Sequence, residues 1–337
     1  MKRSLDWRAM RKIRMRQIKA RGKGVWSRMA QAVGSELGRG TKVAVGISGG
    51  ADSVVLAEAI LRSGGEPILL HFNHRWRGRV GDRDALWVKA WGKRRGLRVV
   101  VGRAHKPGRT GEGEARELRW DFFRKAMRRI GVKQLWLAQQ ADDQAETVLM
   151  QLLRGAGVDG MAGMTVRSKL SGVDVVRPLL GFTRKEVRDA AREEGLSWRE
   201  DKTNEDEKGW RSRVRHKVLP YLSKAYGREV RGALCRAAEI FAGEKEYWEK
   251  ELGRVSTRPD VREWRKKDVA WQRRAIRMWL GMRNHRGATF AEVEGVRKYV
   301  VMGKSSGWQF KGGRVVRSKN KLFWIKEMGR IAHAGQS

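Results

Sequence analysis

The run Val43-Ala44-Val45-Gly46-Ile47-Ser48-Gly49-Gly50-Ala51-Asp52-Ser53-Val54-Val55-Leu56 constrains this chain more than any other stretch. It passes from an apolar, β-branched segment through a turn of small residues into an apolar helical segment, and so predicts strand, loop and helix. Glycine has no Cβ, so Gly49 and Gly50 permit positive φ and a close approach of backbone to an anion. The amides of the loop and of the first helical turn then converge where the helix dipole favours negative charge. The expected ligand is a phosphate. A Walker loop would follow its glycine with a Lys that reaches the β and γ groups, and no Lys follows Gly50. Ser48, Asp52 and Ser53 supply two hydroxyls and a carboxylate instead, a set suited to a pyrophosphate and its Mg²⁺.

Around this loop the chain reads as alternating strands and helices. Residues 67–72 form a second apolar run of strand length, so the unit is βαβ with parallel strands. The end of that strand, His71-Phe72-Asn73, falls at the carboxyl edge of the sheet, where doubly wound folds bind nucleotides, and is a candidate neighbour of adenine. A helix over about 82–95 is expected to bury Leu86, Ala90 and Trp91, followed by a strand at 97–101, a helix at 114–129 and a strand at 134–138. The last strand ends in Asp142-Asp143-Gln144-Ala145-Glu146-Thr147, which opens a helix with apolar positions 145, 148, 149, 152 and 153 on one face. Two aspartates at a helix start also make an ordinary cap with favourable charge. Both nevertheless leave the carboxyl edge of the sheet that carries the phosphate loop, so they share its crevice as Mg²⁺ ligands or general bases. A strand at 173–176 and a helix at 184–194 follow, then the basic segment Arg211 to Pro220. From about 221 the pattern changes to long helices at 228–252, 264–281 and 289–301, and then to two or three short strands over 303–325 with turns at Gly307 and Gly312-Gly313.

Composition narrows the partner. The 337 residues suit two domains. With 75 Lys and Arg against 37 Asp and Glu, the net charge is +38, and such a surface attracts a polyanion. Nucleic acid is the natural candidate. Part of the charge has a blander source, since 40 Gly and 15 Trp beside 5 Pro and 1 Cys point to a coding strand rich in G and poor in C. The Arg-rich residues 1–40 are read as a basic arm that touches RNA, or as a bias-inflated extension, with an organellar transit peptide as the mimic. The single Cys235 excludes an internal disulfide and any Cys-x-x-Cys site. No apolar run suits a membrane span, so a soluble, intracellular protein is expected.

The Ser48-Gly49-Gly50-x-Asp52-Ser53 string resembles the PP-loop signature of ATP pyrophosphatases, which cleave ATP between the α and β phosphates and adenylate a substrate. After it, in one order, come Asp142 to Thr147, Arg154-Gly155-x-Gly157, Arg177-Pro178-Leu179-Leu180, Glu200-Asp201-x-x-Asn204 and Arg211-x-x-x-Arg215-His216-x-x-x-Pro220. Together they resemble the tRNA(Ile)-lysidine synthetase family, strongly over 43–220 and weakly over 221–325.

The resemblance implies an α/β fold, a Rossmann-like parallel sheet of the adenine nucleotide alpha hydrolase-like kind, followed by a smaller, mostly helical domain with short terminal strands. The expected division is a basic extension at 1–40, an ATP-binding catalytic domain at 41–220 and a helical tRNA-binding domain at 221–337. The implied reaction is AMP-forming ligation of free L-lysine to C2 of the wobble cytidine in a CAU anticodon of tRNA(Ile), by way of an adenylated cytidine. ATP and Mg²⁺ are the implied cofactors. The expected setting is the bacterial cytoplasm or an organelle, with no membrane, and a homodimer is an open assembly. Carried onto this chain, Ser48, Gly49, Gly50, Ala51, Asp52 and Ser53 hold the pyrophosphate, with His71 and Asn73 as further ATP neighbours. Asp52, Asp142, Asp143, Glu146 and Arg119 are the implied catalytic residues, and Asp52 and Asp143 the implied Mg²⁺ ligands. Arg77, Arg116, Arg211 and Arg215 are the implied tRNA contacts.

One departure stands out. The family usually carries His-His where this chain has Gln139 and Gln140, and glutamine neither becomes cationic nor acts as a base near neutral pH. A tRNA thiolase of the same fold needs paired cysteines, and a glutamine-dependent PP-loop ligase needs a glutaminase nucleophile, which the lone Cys235 does not supply. A non-catalytic RNA-binding relic is the remaining alternative, and the intact Ser48, Asp52, Ser53, Asp142, Asp143 and Glu146 speak against it.

Overall fold

In the computed structural model the phosphate-loop run adopts the order expected of it: strand β1 (Lys42–Gly46), a turn, and helix α2 (Ala51–Arg62), preceded by helix α1 (Val25–Glu36). The structure describes residues 24–38, 40–76, 78–105, 111–200, 209–283, 287–303, 307–310 and 313–326. The expectations placed on residues 1–23, Arg77, Asp201 and Asn204 lie outside the described residues. The chain divides into two compact units, Met1–Ala242 and Gly243–Ser337.

In the first unit, β2 (Glu66–Asn73), α3 (Arg79–Arg94), β3 (Val99–Arg103), α4 (Glu112–Ile130), β4 (Gln134–Trp136) and α5 (Ala141–Leu152) continue the alternation. A short helix α6 (Val158–Met161), the hairpin β5 (Arg167–Leu170) and β6 (Val173–Val176), and helix α7 (Arg184–Glu193) complete it. The sheet order is β3-β2-β1-β4-β6-β5, parallel throughout except for the antiparallel edge strand β5.

Period-two alternation assigns each strand residue to a layer. Val43 and Val45 of β1, Leu69 of β2 and Trp136 of β4 face a core shared with α1, α2, α3 and α7. Ala44, Ile68, Leu70 and Leu135 face the opposite core, built with Trp120, Phe123, Ala126 and Met127 of α4. Strands covered on both faces read as unbroken apolar runs, which is why β1 and β2 were plain in the sequence.

Two helix faces differ from expectation. In α3 the buried stripe is Gly81, Asp84, Ala85, Val88, Trp91 and Gly92, while Leu86 is 62% exposed and Ala90 is exposed. Trp91 was placed correctly, but helical spacing from Trp91 runs back through Val88 to Ala85 and Asp84 and leaves Leu86 off the stripe. In α5, Ala145, Val148 and Leu149 are buried, whereas Leu152 and Leu153 at and just past its end are exposed.

The end of α2 away from the phosphate loop is fixed by charge. Glu58, 2% exposed, accepts from Arg62 Nε at 2.8 Å and from Arg95 Nε at 2.9 Å, and Arg62 reaches Glu194 Oε2 at 2.6 Å. This buried group joins α2 to the residues just after α3 and α7.

Helices α8 (Trp210–Arg213) and α9 (Leu219–Tyr226) are joined by a π-helical turn over Val214–Val218, and α10 follows at Arg231–Leu252. The second unit contains α11 (Val261–Arg265), α12 (Val269–Gly281), α13 (Phe290–Met302) and an antiparallel sheet β7 (Trp308–Phe310), β8 (Gly313–Ser318) and β9 (Lys321–Lys326). Its core packs Trp264, Ile276, Trp279, Leu280, Val293, Val296 and Tyr299 against Phe310, Val315 and Leu322. The helical run expected over 264–281 is broken at Lys266 to Asp268, where the cap of α11 meets the N-cap of α12.

Candidate active site

The sheet order reverses between β1 and β4, since β2 and β3 lie outward of β1 on one side while β6, and then the edge strand β5, lie outward of β4 on the other. The crevice beyond the carboxyl ends of such a pair is where open α/β sheets bind ligands. Here β1 runs into the phosphate loop and β4 runs through Gln139 and Gln140 into α5.

The loop is held by its own hydroxyls. Ser53 Oγ donates to Gly50 O at 3.0 Å and accepts from Ser48 N at 3.2 Å. Since that donation uses the one Ser53 proton, Ser48 Oγ is the donor in its 3.2 Å contact with Ser53 Oγ, and it accepts from Gly50 N at 3.2 Å. Gly49 adopts φ +97°, a conformation that L side chains rarely enter. Its carbonyl accepts from Arg199 N at 2.8 Å, and Arg199 Nε reaches Asp84 Oδ1 at 3.1 Å, so the turn is clamped from the outside. No side chain caps α2, which leaves the amides of Ala51 and Asp52 at an open helix N-terminus.

Asp52 and the acids of α5 come together through one residue. Gln140 is fully buried, donates Nε2–H to Asp52 Oδ2 at 3.1 Å, and donates its backbone N–H to Asp143 Oδ2 at 3.1 Å. The arginines that follow complete the group. Arg215 grips Glu146 with Nε at 2.5 Å and Nη2 at 3.0 Å and reaches Asp143 Oδ1 at 3.2 Å. Arg211 Nε donates to Glu146 Oε2 at 2.8 Å, and its Nη2 lies 3.5 Å from Asp143 Oδ1. The π-helical turn that carries Arg215 widens the helix between these cations and the rest of α9, a device frequent at functional sites. Asp142 faces outward from the group, accepting from Arg184 N at 2.8 Å with Arg231 Nε at 3.6 Å.

Burial and charge set the protonation of these groups. Burial pushes the Asp52 carboxyl up to about 6, with the Asp143 charge adding, against Arg184, Arg188 and Arg215, which lower it. Burial also raises Asp143, opposed first by Arg211. Burial disfavours the charge on Glu146 too, yet the hydrogen bonds and charge of Arg215, then of Arg211, hold its carboxyl below the usual range. Burial draws Arg119 below the usual guanidinium value, with the like charges of Arg116 and Arg211 adding. Arg119 has no ion pair or hydrogen bond among the described residues, and Arg116 lies exposed with its guanidinium 5.9 Å from the Trp120 ring centroid. A partnerless guanidinium among cations is chemically an anion receptor.

The remaining sequence-predicted residues are placed as follows. His71 is buried with Nδ1 at 2.9 Å from Ile47 O, and a carbonyl only accepts, so Nδ1 carries the hydrogen. Asn73 is buried, its Nδ2 donating to Asp82 at 2.9 Å and its Oδ1 accepting from Arg75 N at 2.8 Å, so in this state it shapes the loop after β2. Cys235 donates to Ala141 O at 3.2 Å, and burial pushes its thiol up, away from thiolate chemistry.

Mg²⁺ is bound by one or two carboxylates and completes its shell with phosphate oxygens and water. Among the described residues no group of three or more His, Cys, Asp or Glu is placed to hold a metal. Asp52 fits the role of such a carboxylate, being bonded through Oδ2 only. Asp143 fits less well, with Oδ2 on the Gln140 amide and Oδ1 facing Arg215, Arg211 and, at 3.9 Å, Arg184.

Sequence reasoning missed four contributors. Arg184 caps Asp142 through its backbone, Arg231 faces Asp142, and Arg199 clamps Gly49. Arg177, 4% exposed, donates to Gln139 Oε1 and to Ser168 Oγ, and burial pulls it down to about 10. Of these only Arg177 carried a signal, as part of Arg177-Pro178-Leu179-Leu180.

A glycine-turned phosphate loop at the switch point of a parallel sheet defines a PP-loop ATP-binding protein, and a family model described as a PP-loop domain matches residues 25–222. A second, described as the TilS substrate binding domain, matches residues 260–323. The tRNA(Ile)-lysidine synthase of Thermosynechococcus vestitus is 30% identical over 79% of this chain and 80% of its own length. That of Solibacter usitatus is 37% identical over 64% of this chain, which spans about half of that relative, 49%. The chain belongs to the tRNA(Ile)-lysidine synthase family. Among solved structures, the U34-tRNA thiolase NcsA from Methanococcus maripaludis matches at TM-score 0.49 and 19% identity, covering 64% of this chain and 78% of that one.

Proposed function

We propose that the protein joins lysine to the wobble cytidine of a CAU-anticodon tRNA(Ile), with cleavage of ATP to AMP and pyrophosphate. The observation that carries this reading is the meeting of Asp52 with Asp143 through Gln140 at the mouth of β1 and β4, which brings a phosphate cradle and a carboxylate group into one crevice. Residues 41–220 supply the catalytic domain in this reading and 221–337 the tRNA-binding part, with the matches at 25–222 and 260–323 in support.

The free amides of the loop and of the first turn of α2 hold the β and γ phosphates, the hydroxyls of Ser48 and Ser53 turning their protons from the loop to those phosphates as ATP binds, and the α phosphorus is left open to the cytidine O2. A bond forms from O2 to that phosphorus as the bond to the pyrophosphate oxygen breaks. Mg²⁺ bound with ATP beside Asp52 would neutralise the pyrophosphate as it departs. Arg119, which has no anion partner of its own, meets the charge that develops on the phosphates. The lysine ε-amine then attacks C2 and AMP leaves with the O2 oxygen. An ammonium has no lone pair and its unperturbed pKa is about 10.4, so it must first give up a proton. One carboxylate at the start of α5 receives it, Asp143 or Glu146, where the ammonium competes with Arg211 and Arg215, while Asp142, turned away from them, shapes the helix start. Arg116 and the outer faces of Arg211 and Arg215 suit contacts with the tRNA backbone. Among the described residues no helix is long and apolar enough to cross a membrane.

The test is incorporation of labelled lysine into a tRNA(Ile) transcript with a CAU anticodon, with Asp52→Ala and a methionine tRNA in parallel. Label in the isoleucine tRNA alone, lost in the variant, is the expected result. Binding of tRNA with no label from wild-type protein overturns the reading in favour of an RNA-binding relic.

A further inference from the structure

Gln140 stands where the family usually has a histidine, and its surroundings say what the position does. It is fully buried, and its two donors go to two different acids: side-chain Nε2 to Asp52 Oδ2 and backbone N to Asp143 Oδ2, both at 3.1 Å. Those acids belong to different elements, one to the first turn of α2 and one to the first turn of α5. Its other side-chain polar atom, Oε1, is buried with no partner among the described residues. An orphaned buried carbonyl is unfavourable, and methionine, of similar length and shape, would fill the space without it. The position nonetheless carries a carboxamide, so the side-chain N–H is the feature that distinguishes it from an apolar filler. Among the described residues the Asp52 carboxylate receives one side-chain hydrogen bond, that from Gln140. This donor is neutral and is anchored by its own backbone to the opposite acid.

We propose that Gln140 is the positioning residue of the site, holding the Asp52 carboxylate at the phosphate loop with its side chain while its backbone holds Asp143, so that the two acids keep one spacing. The proposal rests on the ligase reading above. It acts through Asp52 and predicts a specific pattern of coupling.

The experiment uses the full chain with Mg²⁺, ATP, lysine and the CAU transcript, and measures AMP release together with binding of labelled ATP. Q140M is expected to lower kcat and raise KM for ATP, each by about ten-fold, and to leave KM for tRNA within about two-fold. Q140H keeps a ring N–H and is expected to return within about three-fold of wild type. The double variant D52A/Q140M is expected to bind ATP as weakly as D52A and no more weakly, because truncating Asp52 already removes the acceptor of the Gln140 hydrogen bond. Q140M with kcat and both KM values within about two-fold of wild type overturns the proposal, as do D52A and Q140M losses that multiply. Thermal melting reports whether Q140M folds. Where it does not, Q140L, apolar and without a donor, decides by the same criteria. Wild type that binds ATP without releasing AMP refutes the ligase reading, and Q140M then still tests the positioning role through ATP affinity alone.

Discussion

At the scale of single residues the site is a balance of buried charges. Glu146 is 1% exposed at its side chain and is neutralised by Arg215 and Arg211 on its two oxygens. Removing Arg215 leaves the buried carboxylate with Arg211 alone in a poor solvent, whereas replacing Arg215 and Glu146 together by uncharged side chains takes away the charge that needs the second partner. Arg215→Ala is therefore expected to lower the unfolding free energy by about 3 kcal/mol, and Arg215→Met with Glu146→Gln by less than about half of that. Urea denaturation of the two variants checks the difference, and equal losses would show that the pair is no more than packing. The sequence singled out Asp52, Asp142, Asp143, Glu146, Arg211 and Arg215 because each sits in a motif of fixed spacing. Their pairing was not legible there. Nothing local says that Arg215 spans 69 positions to Glu146, or that the Gln140 side chain spans 88 positions to Asp52. Only the strand order, which brings the ends of β1 and β4 side by side, makes those contacts.

At the scale of elements, legibility followed how strongly one face is buried. The strands covered on both sides and the loop between β1 and α2 were read from pattern alone, since apolar runs and small turn residues leave few alternatives. The edge strand β5, with the alternation Arg167-Ser168-Lys169-Leu170, carries too little apolar content to be seen, and its turn at Ser171 and Gly172 has positive φ at both positions, the two-residue hairpin geometry. The same holds at Lys319 and Asn320 between β8 and β9, where the turn lies in a dipeptide with no glycine. The phosphate loop depends on Gly49 in a comparable way. Its φ of +97° is strained for any side chain, and a Cβ there would lie 3.5 Å from Trp87 and Val88, so space is adequate and the backbone is the obstacle. Gly49→Ala is expected to cost about 1–3 kcal/mol by strain, or to relax the turn and raise KM for ATP by about ten-fold. Melting and ATP kinetics on the same preparation distinguish the two outcomes, and a variant unchanged in both would show that the turn has no need of glycine.

At the scale of the whole molecule, charge governs both stability and partner binding. In the second unit, the hydrogen bond from Arg297, followed by that from Arg273, holds the Glu294 carboxyl down to about 2. A carboxyl whose folded value lies below its unfolded value of about 4.3 contributes stability above the latter, and the contribution is lost as pH falls through about 2. Glu294→Gln is therefore expected to destabilise this unit at pH 6 and to differ little from wild type near pH 2, which melting curves across that range would show. The net charge of +38 raises the larger question of whether so much Arg and Lys serves a polyanion or reflects the coding strand. Salt separates the two. If six or more cations meet tRNA phosphates, raising salt from about 50 to about 200 mM should weaken tRNA binding by about a thousand-fold, through counterion release. ATP, held by loop amides and a few side chains, should weaken by less than about ten-fold over the same range. A shallow tRNA slope would mean that most of this charge never touches the RNA. The substrate would then be recognised by a small set of contacts such as Arg116, Arg211 and Arg215, and the surplus would be compositional.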